Sequence, residues 1–140
     1  GPETKIILID RPGNQNIRET FQSQLGITGK LSTAAKMIGP DEEVVKTVAG
    51  TIPPRSAAAY ISLSTGLSAV TSGVAVRLLP VDKVEPEGPT VRDGRYSLRR
   101  PLLLLSKKEP HPLAEAFVRF ALSAPGQSIV GDTYVPMPSK

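Results

Sequence analysis

The chain has 140 residues, a formal net charge of +4 and an isoelectric point near 9.6, with 39% hydrophobic and 21% charged residues. That is the composition of an ordinary globular chain with room for a core, and it excludes a disordered one. The absence of cysteine excludes disulfides and thiolate metal sites, and the longest apolar run, Leu102–Leu105, is far too short to span a bilayer.

Gly1-Pro2 reads as a protease-cleavage scar, leaving 3–140 as one domain. Lys5–Asp10 is a short run of continuous apolar and β-branched residues, the pattern of a strand covered on both faces. Arg11-Pro12-Gly13-Asn14 then makes a turn. Asn16 is placed to cap a helix, with Glu19 completing a capping box, Ile17, Phe21 and Leu25 on one face, and Gly26 as the stop. Leu31–Ile38 reads as a weaker helical stretch. Gly39-Pro40-Asp41 opens a further helix with Val44, Val45, Val48 and Ala49 as its buried stripe and Gly50 at its end.

Beyond Pro53-Pro54, Ala57–Leu63 reads as a second strand, Ser64–Ser72 as a turn or short helix, and Val74–Leu79 as a third strand. Pro80–Tyr96 is dense in proline, glycine and charge, which reads as a surface excursion, and Leu102–Ser106 as a fourth strand. The clearest helix covers Pro112–Ser123, where Leu113, Ala116, Phe117, Phe120 and Ala121 share one broad face. Pro125-Gly126 ends it, and a short helix over Gln127–Val130 follows. Strands alternating with helices predict an α/β fold with a mainly parallel central sheet and helices on both faces.

Chemistry-bearing constellations are few. The basic residues are scattered and aromatics make up 4%, which argues against a nucleic-acid surface with its dense charge and interleaved rings. His111, the only histidine, sits in a Pro-rich loop without partners and makes no metal site. Asp41-Glu42-Glu43 complements a helix dipole in a first turn. Ser62, Ser64 and Thr65 lack a base to activate them. No phosphate-binding or dinucleotide glycine motif implies a cofactor, so the expectation is a protein that is not an enzyme and holds no cofactor. The exception is the passage from strand to helix at Arg11–Asn16. There a strand's carboxyl end and a helix N-terminus converge beside an arginine, an arrangement suited to an anion.

Several pieces, in order along nearly the whole chain, resemble one family. They are Ala57-Ala58-Ala59-Tyr60-Ile61-Ser62, Asp93-Gly94-Arg95-Tyr96-Ser97-Leu98, Arg99-Arg100-Pro101-Leu102-Leu103-Leu104, and the helix Ala116-Phe117-Val118-Arg119-Phe120. Ser123-Ala124-Pro125-Gly126-Gln127-Ser128-Ile129-Val130 and Tyr134-Val135-Pro136-Met137 complete the set. Together they are similar to the carboxyl half of the periplasmic phosphate-binding proteins of ABC transporters. The resemblance implies a single lobe of a type II periplasmic binding protein-like fold, located outside the cytoplasm. It also implies a missing second lobe or neighbouring domain as partner, with a second copy of the chain as another occupant of the open cleft face, and phosphate or another small anion as ligand.

In that family an arginine is followed by Gly-Ser-Gly-Thr, and the arginine pairs with phosphate oxygens while the turn adds hydroxyls and amides. Here Arg11 keeps the arginine position, Asn14 falls on the first glycine, and Gln15, Asn16 and Ile17 replace Ser-Gly-Thr. Arg11, Asn14, Gln15 and Asn16 are therefore the expected ligand-binding residues, and a turn arginine should be removable with folding nearly intact. Two readings stay open on the sequence. Either these residues hold a small polar or anionic ligand, or Asn16 is a helix cap, Arg11 a solvated turn residue, and the lobe an interaction or structural module that has lost its pocket.

Overall fold

The computed structural model describes residues 3–13, 15–27, 29 and 31–137. They fall into two units, one ending at Pro80 and one beginning at Val81. In the first, the apolar run after Lys5 forms strand β1 (Ile7–Asp10), followed by helix α1 (Asn16–Gln24), strand β2 (Lys36–Met37), helix α2 (Asp41–Ala49), strand β3 (Ala57–Ala58) and helix α3 (Leu63–Thr71).

The strands make one parallel sheet in the order β2-β1-β3. Ile9 and Asp10 lie opposite Lys36 and Met37, and Ile7 and Leu8 lie opposite Ala57 and Ala58. Parallel neighbours require crossovers, and α1 and α2 supply them. With β1 in the middle, α1 leads from its carboxyl end to β2 on one side, and α2 leads from β2 to β3 on the other side of β1. Ligands of open α/β sheets sit beyond the carboxyl ends of the strands, the end of β1 among them.

Ile9, Val44, Val45 and Ala69 form the buried apolar core, which draws on β1, α2 and α3. The stripe read from Val44 and Val45 is thus the face that α2 buries. Leu8 stays 37% exposed, so β1 is not covered on both faces as its composition predicts.

Helix α1 ends in a left-handed Gly26 (φ +65°), with the Gly26 N–H donating to the Ser23 carbonyl and the Ile27 N–H to the Gln22 carbonyl. Those paired bonds satisfy carbonyls that the last turn leaves free, and they depend on a residue without Cβ strain at Gly26. Gly50 closes α2 as expected.

Several expectations are corrected. Leu31–Ile38 holds no helix: Lys36–Met37 is drawn into the sheet by pairing with β1. The strand expected over Ala57–Leu63 is only Ala57–Ala58, because Leu63 already begins α3, and the Ser64–Ser72 stretch is helical through Thr71. Val74–Leu79 and Leu102–Ser106 form no strand among the described residues. β-branched and apolar composition suits a strand, but an extended segment becomes one only with a hydrogen-bonding neighbour.

The second unit contains helices α4 (Gly88–Arg92), α5 (Pro112–Leu122) and α6 (Ala124–Gly131). Helix α4 lies inside the stretch expected to be a surface excursion, and it is started by a capping box between Glu87 and Thr90. The His111 imidazole caps α5 by accepting the Leu113 N–H at 3.2 Å. Pro125-Gly126 does not end α5. It opens α6, with the Ser123 hydroxyl accepting the Gly126 N–H.

A Cβ on Gly126 would fall 2.1 Å from the Phe120 carbonyl oxygen, so this glycine lets α6 start against the end of α5. The Gln127 amide nitrogen donates to the Ala121 carbonyl at 2.8 Å, and its oxygen accepts the Met137 N–H at 2.7 Å. The Ser-Ala-Pro-Gly-Gln motif therefore joins two helices to the Tyr-Val-Pro segment, a structural role.

Candidate functional site

Strand β1 ends in two consecutive buried charged residues, Asp10 (2% exposed) and Arg11 (4%). A buried charge is costly unless it is paired, and both are. The Asp10 carboxylate accepts the Arg11 backbone N–H at 2.8 Å and the Tyr60 hydroxyl, and it forms an ion pair with Arg18 at 3.2 Å. The Tyr60 oxygen in turn accepts the Arg11 N–H at 3.3 Å, and its ring stacks on Phe21 with centroids 4.1 Å apart. Burial, then the hydrogen bond to Asp10 and the charge of that carboxylate, push the Tyr60 phenol well above its ordinary range. It remains a neutral donor, fixed between β1, α1 and the segment after β3.

Arg11 reaches the other way. Its Nε donates to the Gln15 side-chain oxygen at 3.0 Å, and its Nη2 pairs with Asp41 Oδ1 at 2.5 Å. Asp41, the first residue of α2, accepts the Ser62 backbone N–H on its other oxygen at 3.0 Å. Burial raises the Asp41 carboxyl, but the Ser62 hydroxyl and N–H together with the Arg11 guanidinium outweigh it and hold the carboxyl below its usual range. The Gln15 amide nitrogen donates to the Gly39 carbonyl at 3.2 Å, tying the turn before α1 to the loop before α2.

Asp10, Arg11, Arg18 and Asp41 thus form a network of two carboxylates and two guanidiniums whose formal charges cancel. Two buried nitrogens in it, Arg11 Nη1 and Arg18 Nε, have no hydrogen-bond partner among the described residues. Such orphaned donors are uncommon in folded proteins, and each leaves hydrogen-bonding capacity unused. An open depression of about 410 Å³ lies beside the turn, lined by Gly13, Arg18, Glu19, Gln22, Ser23 and Ile27.

Of the expected ligand residues, Arg11 and Gln15 come together, Asn16 is exposed at the first position of α1, and Asn14 lies outside the described residues. Arg11 is not a solvated turn residue but one of the most buried side chains in the chain. Nor does Asn16 cap α1: the N-cap is Gln15, its side chain makes no cap bond, and the Gln15 amide is engaged by Arg11 and Gly39 instead.

Asp10, Arg18, Asp41, Tyr60 and Ser62 belong to the same network without having been expected there. Asp10 carried a signal, a charge ending an apolar run at a strand's carboxyl end. Asp41 carried none beyond its fit to a helix dipole, because its partner lies thirty residues earlier. Among the described residues, no three His, Asp or Glu side chains gather to hold a metal ion, and no helix is long and apolar enough to cross a membrane.

No family model and no curated protein matches the chain. Solved structures do. A phosphate-binding protein of a phosphate ABC transporter from Streptococcus pneumoniae is 26% identical with a TM-score of 0.81, over 96% of this chain and 52% of that one. A protein described as a phosphate ABC transporter substrate-binding protein, from Clostridium perfringens and solved with phosphate bound, is 25% identical with a TM-score of 0.73 over the same shares. An ABC-type phosphate transport receptor from Vibrio cholerae is 20% identical with a TM-score of 0.79, over 99% of this chain and 55% of that one. The chain therefore spans about half the length of the structures it matches, and its fold is the one these substrate-binding proteins share.

Proposed function

We propose that the chain is one lobe of a two-lobed extracytoplasmic solute-binding protein of the phosphate ABC transporter type. In this reading it presents the carboxyl end of β1 and the start of α1 to a small anion, phosphate foremost. The observation that carries the reading is Arg11: a buried guanidinium just past the carboxyl end of the central strand, with one nitrogen unpartnered among the described residues. An arginine held by neighbours in this way is pre-organised to meet a tetrahedral oxyanion with charge-assisted bonds. Asn16 would add an amide donor from the first turn of α1, where the helix dipole favours negative charge, while Gln15 holds the Arg11 guanidinium in place. The solved relatives that bind phosphate support the choice of ligand.

The second unit supports the two-lobed part of the reading. Leu102 to Leu105 are 54–92% exposed, and Leu113, Phe117 and Phe120 on α5 are 49–75% exposed. Exposed apolar surface on that scale calls for a covering partner, and the other half of a two-lobed protein supplies one.

One observation favours the alternative, an interaction module that has lost its ligand: Arg11 already has Asp41 and Gln15 as partners. Calorimetric titration of phosphate into this chain, and into the same chain joined to its amino lobe, separates the two. Binding in the joined protein that Arg11→Ala abolishes supports the clamp. Absence of binding by phosphate, sulfate and small carboxylates in both forms would overturn it.

A further inference from the structure

The strongest unassigned feature is the carboxylate of Asp41 and the two groups it bridges. One oxygen meets Arg11 Nη2 at 2.5 Å and the other meets the Ser62 N–H at 3.0 Å. Ser62 is the N-cap of α3, a helix of nine residues whose start has no side-chain cap of its own. Helix starts leave backbone N–H groups free and carry the positive end of the dipole. The Asp41 carboxylate therefore sits where an arginine fork and a helix N-terminus converge, which is how a bound anion would sit. Arg11 is 4% exposed, and its Nη1 remains buried and unpartnered, so the fork is only partly used. Ser62 is itself exposed, which leaves this position open to solvent on one side.

From these contacts we infer that Asp41 is an internal anion that occupies an oxyanion subsite formed by Arg11, the Ser62 N–H and the start of α3, and that a ligand anion binds there by displacing it. The inference rests on the reading of this end of the sheet as ligand-facing, and it adds a position and a competitor. The ligand class is a small oxyanion able to accept from two guanidinium nitrogens and a backbone N–H at once, as phosphate, sulfate or a carboxylate can. The competition has a physical basis in valence. The Ser62 N–H carries one hydrogen, already given to Asp41, so Asp41 and an external anion cannot both accept it in full. With two carboxylates already balancing the two guanidiniums, an added anion is also opposed by charge until one carboxylate withdraws.

The test uses this chain and its variants Asp41→Asn and Asp41→Ala, titrated with inorganic phosphate. Binding is followed by calorimetry and by the NMR signals of the Ser62 amide and the Arg11 Nε–H. Asp41→Asn keeps the shape and a hydrogen-bond acceptor, so it is the variant least exposed to misfolding. Glu42→Gln, on the exposed neighbouring residue of α2, removes the same charge without touching Arg11.

The expected result is a phosphate affinity about tenfold or more above the parent in Asp41→Ala, a smaller gain in Asp41→Asn, and none in Glu42→Gln. The Ser62 amide and Arg11 Nε–H should shift on saturation, and Arg11→Ala on the Asp41→Ala background should abolish the gain. Folded Asp41 variants that bind phosphate no better than the parent would overturn the inference, as would an equal gain in Glu42→Gln. If the joined two-lobed protein binds phosphate while the Asp41 variants gain nothing, the clamp stands and the displaced carboxylate fails. If the Asp41 variants bind more tightly while the joined parent does not bind, the displaced carboxylate stands and the clamp fails.

Discussion

Removing the Arg11 side chain should unsettle the first unit itself. The side chain is 4% exposed and its partner Asp41 is 14% exposed. Deleting one member of a buried ion pair leaves the other charged and uncompensated, at a cost of about 3–5 kcal/mol. Asp41 keeps its bond to Ser62 and some contact with water, so Arg11→Ala should fall at the lower end, about 3 kcal/mol. That is a large share of the stability of a domain, which totals about 5–15 kcal/mol. The assay is urea unfolding followed by the methyl signals of Ile9 and Val44, which report the core of this unit. Asp41→Ala and the double variant complete a cycle, and the coupling should be about 1.5–3 kcal/mol, the range for a charge-assisted contact. A loss in Arg11→Ala below about 0.5 kcal/mol, the scale of an ordinary surface change, would refute the reasoning. So would strict additivity in the double variant.

Further outcomes follow from the same geometry. Because the Asp41 carboxyl titrates below its ordinary value of 3.8 in the folded chain, its contribution to stability is present above that pH and lost as pH falls through the folded value. The Ser62 amide shift should therefore have its acid midpoint below 3.8, and a midpoint above it would contradict the Asp41 contacts. The Tyr60 phenol should stay protonated when the solution passes its ordinary value of 10.0, which ring-carbon NMR shifts can follow residue by residue. Gly126→Ala should cost about 1–3 kcal/mol or more by forcing α5 and α6 apart, since the new Cβ meets backbone atoms at 2.1 and 2.9 Å. Gly66→Ala should be milder, because its close neighbour at 2.8 Å is the Leu78 methyl end, which can turn aside; equal losses of amide protection in the two variants would contradict this contrast.

What the sequence made legible is what short-range physics controls. β1, α1, α2 and α5 were readable because an apolar run, a 3.6-residue stripe, a glycine stop and a proline start are local signals acting on a local segment. Arg11 and Gln15 were readable as neighbours for the same reason: strand end, turn and helix start lie within a dozen residues. The network around them was not. Asp41 joins Arg11 through a contact that only the parallel sheet creates, and Tyr60 reaches Asp10 across fifty residues. From composition alone, an aspartate in a first helical turn and a tyrosine after a strand have sufficient local explanations, so nothing in the pattern demands a distant partner.

The two strands that did not form point to a different limit. Leu102–Ser106 has the composition of a strand, yet Leu105 is 92% exposed and Leu103 74%. Helix α5 likewise has a broad apolar stripe with Phe117 60% exposed. In the first unit, the matching pattern on α2 buries Val44 to 1%. Hydrophobic patterning therefore matched burial on α2, while the same kind of pattern at Leu102–Leu105 and on α5 stays exposed. A leucine-rich segment outside a sheet leaves its backbone to water, and four exposed leucines gain nothing from that solvent. On the two-lobed reading proposed above, the pattern at Leu102–Leu105 is a demand for a covering partner. Arg11 shows the converse case: its guanidinium needs an anionic partner wherever it is buried, and Asp41 is a carboxylate that the fold itself brings within reach.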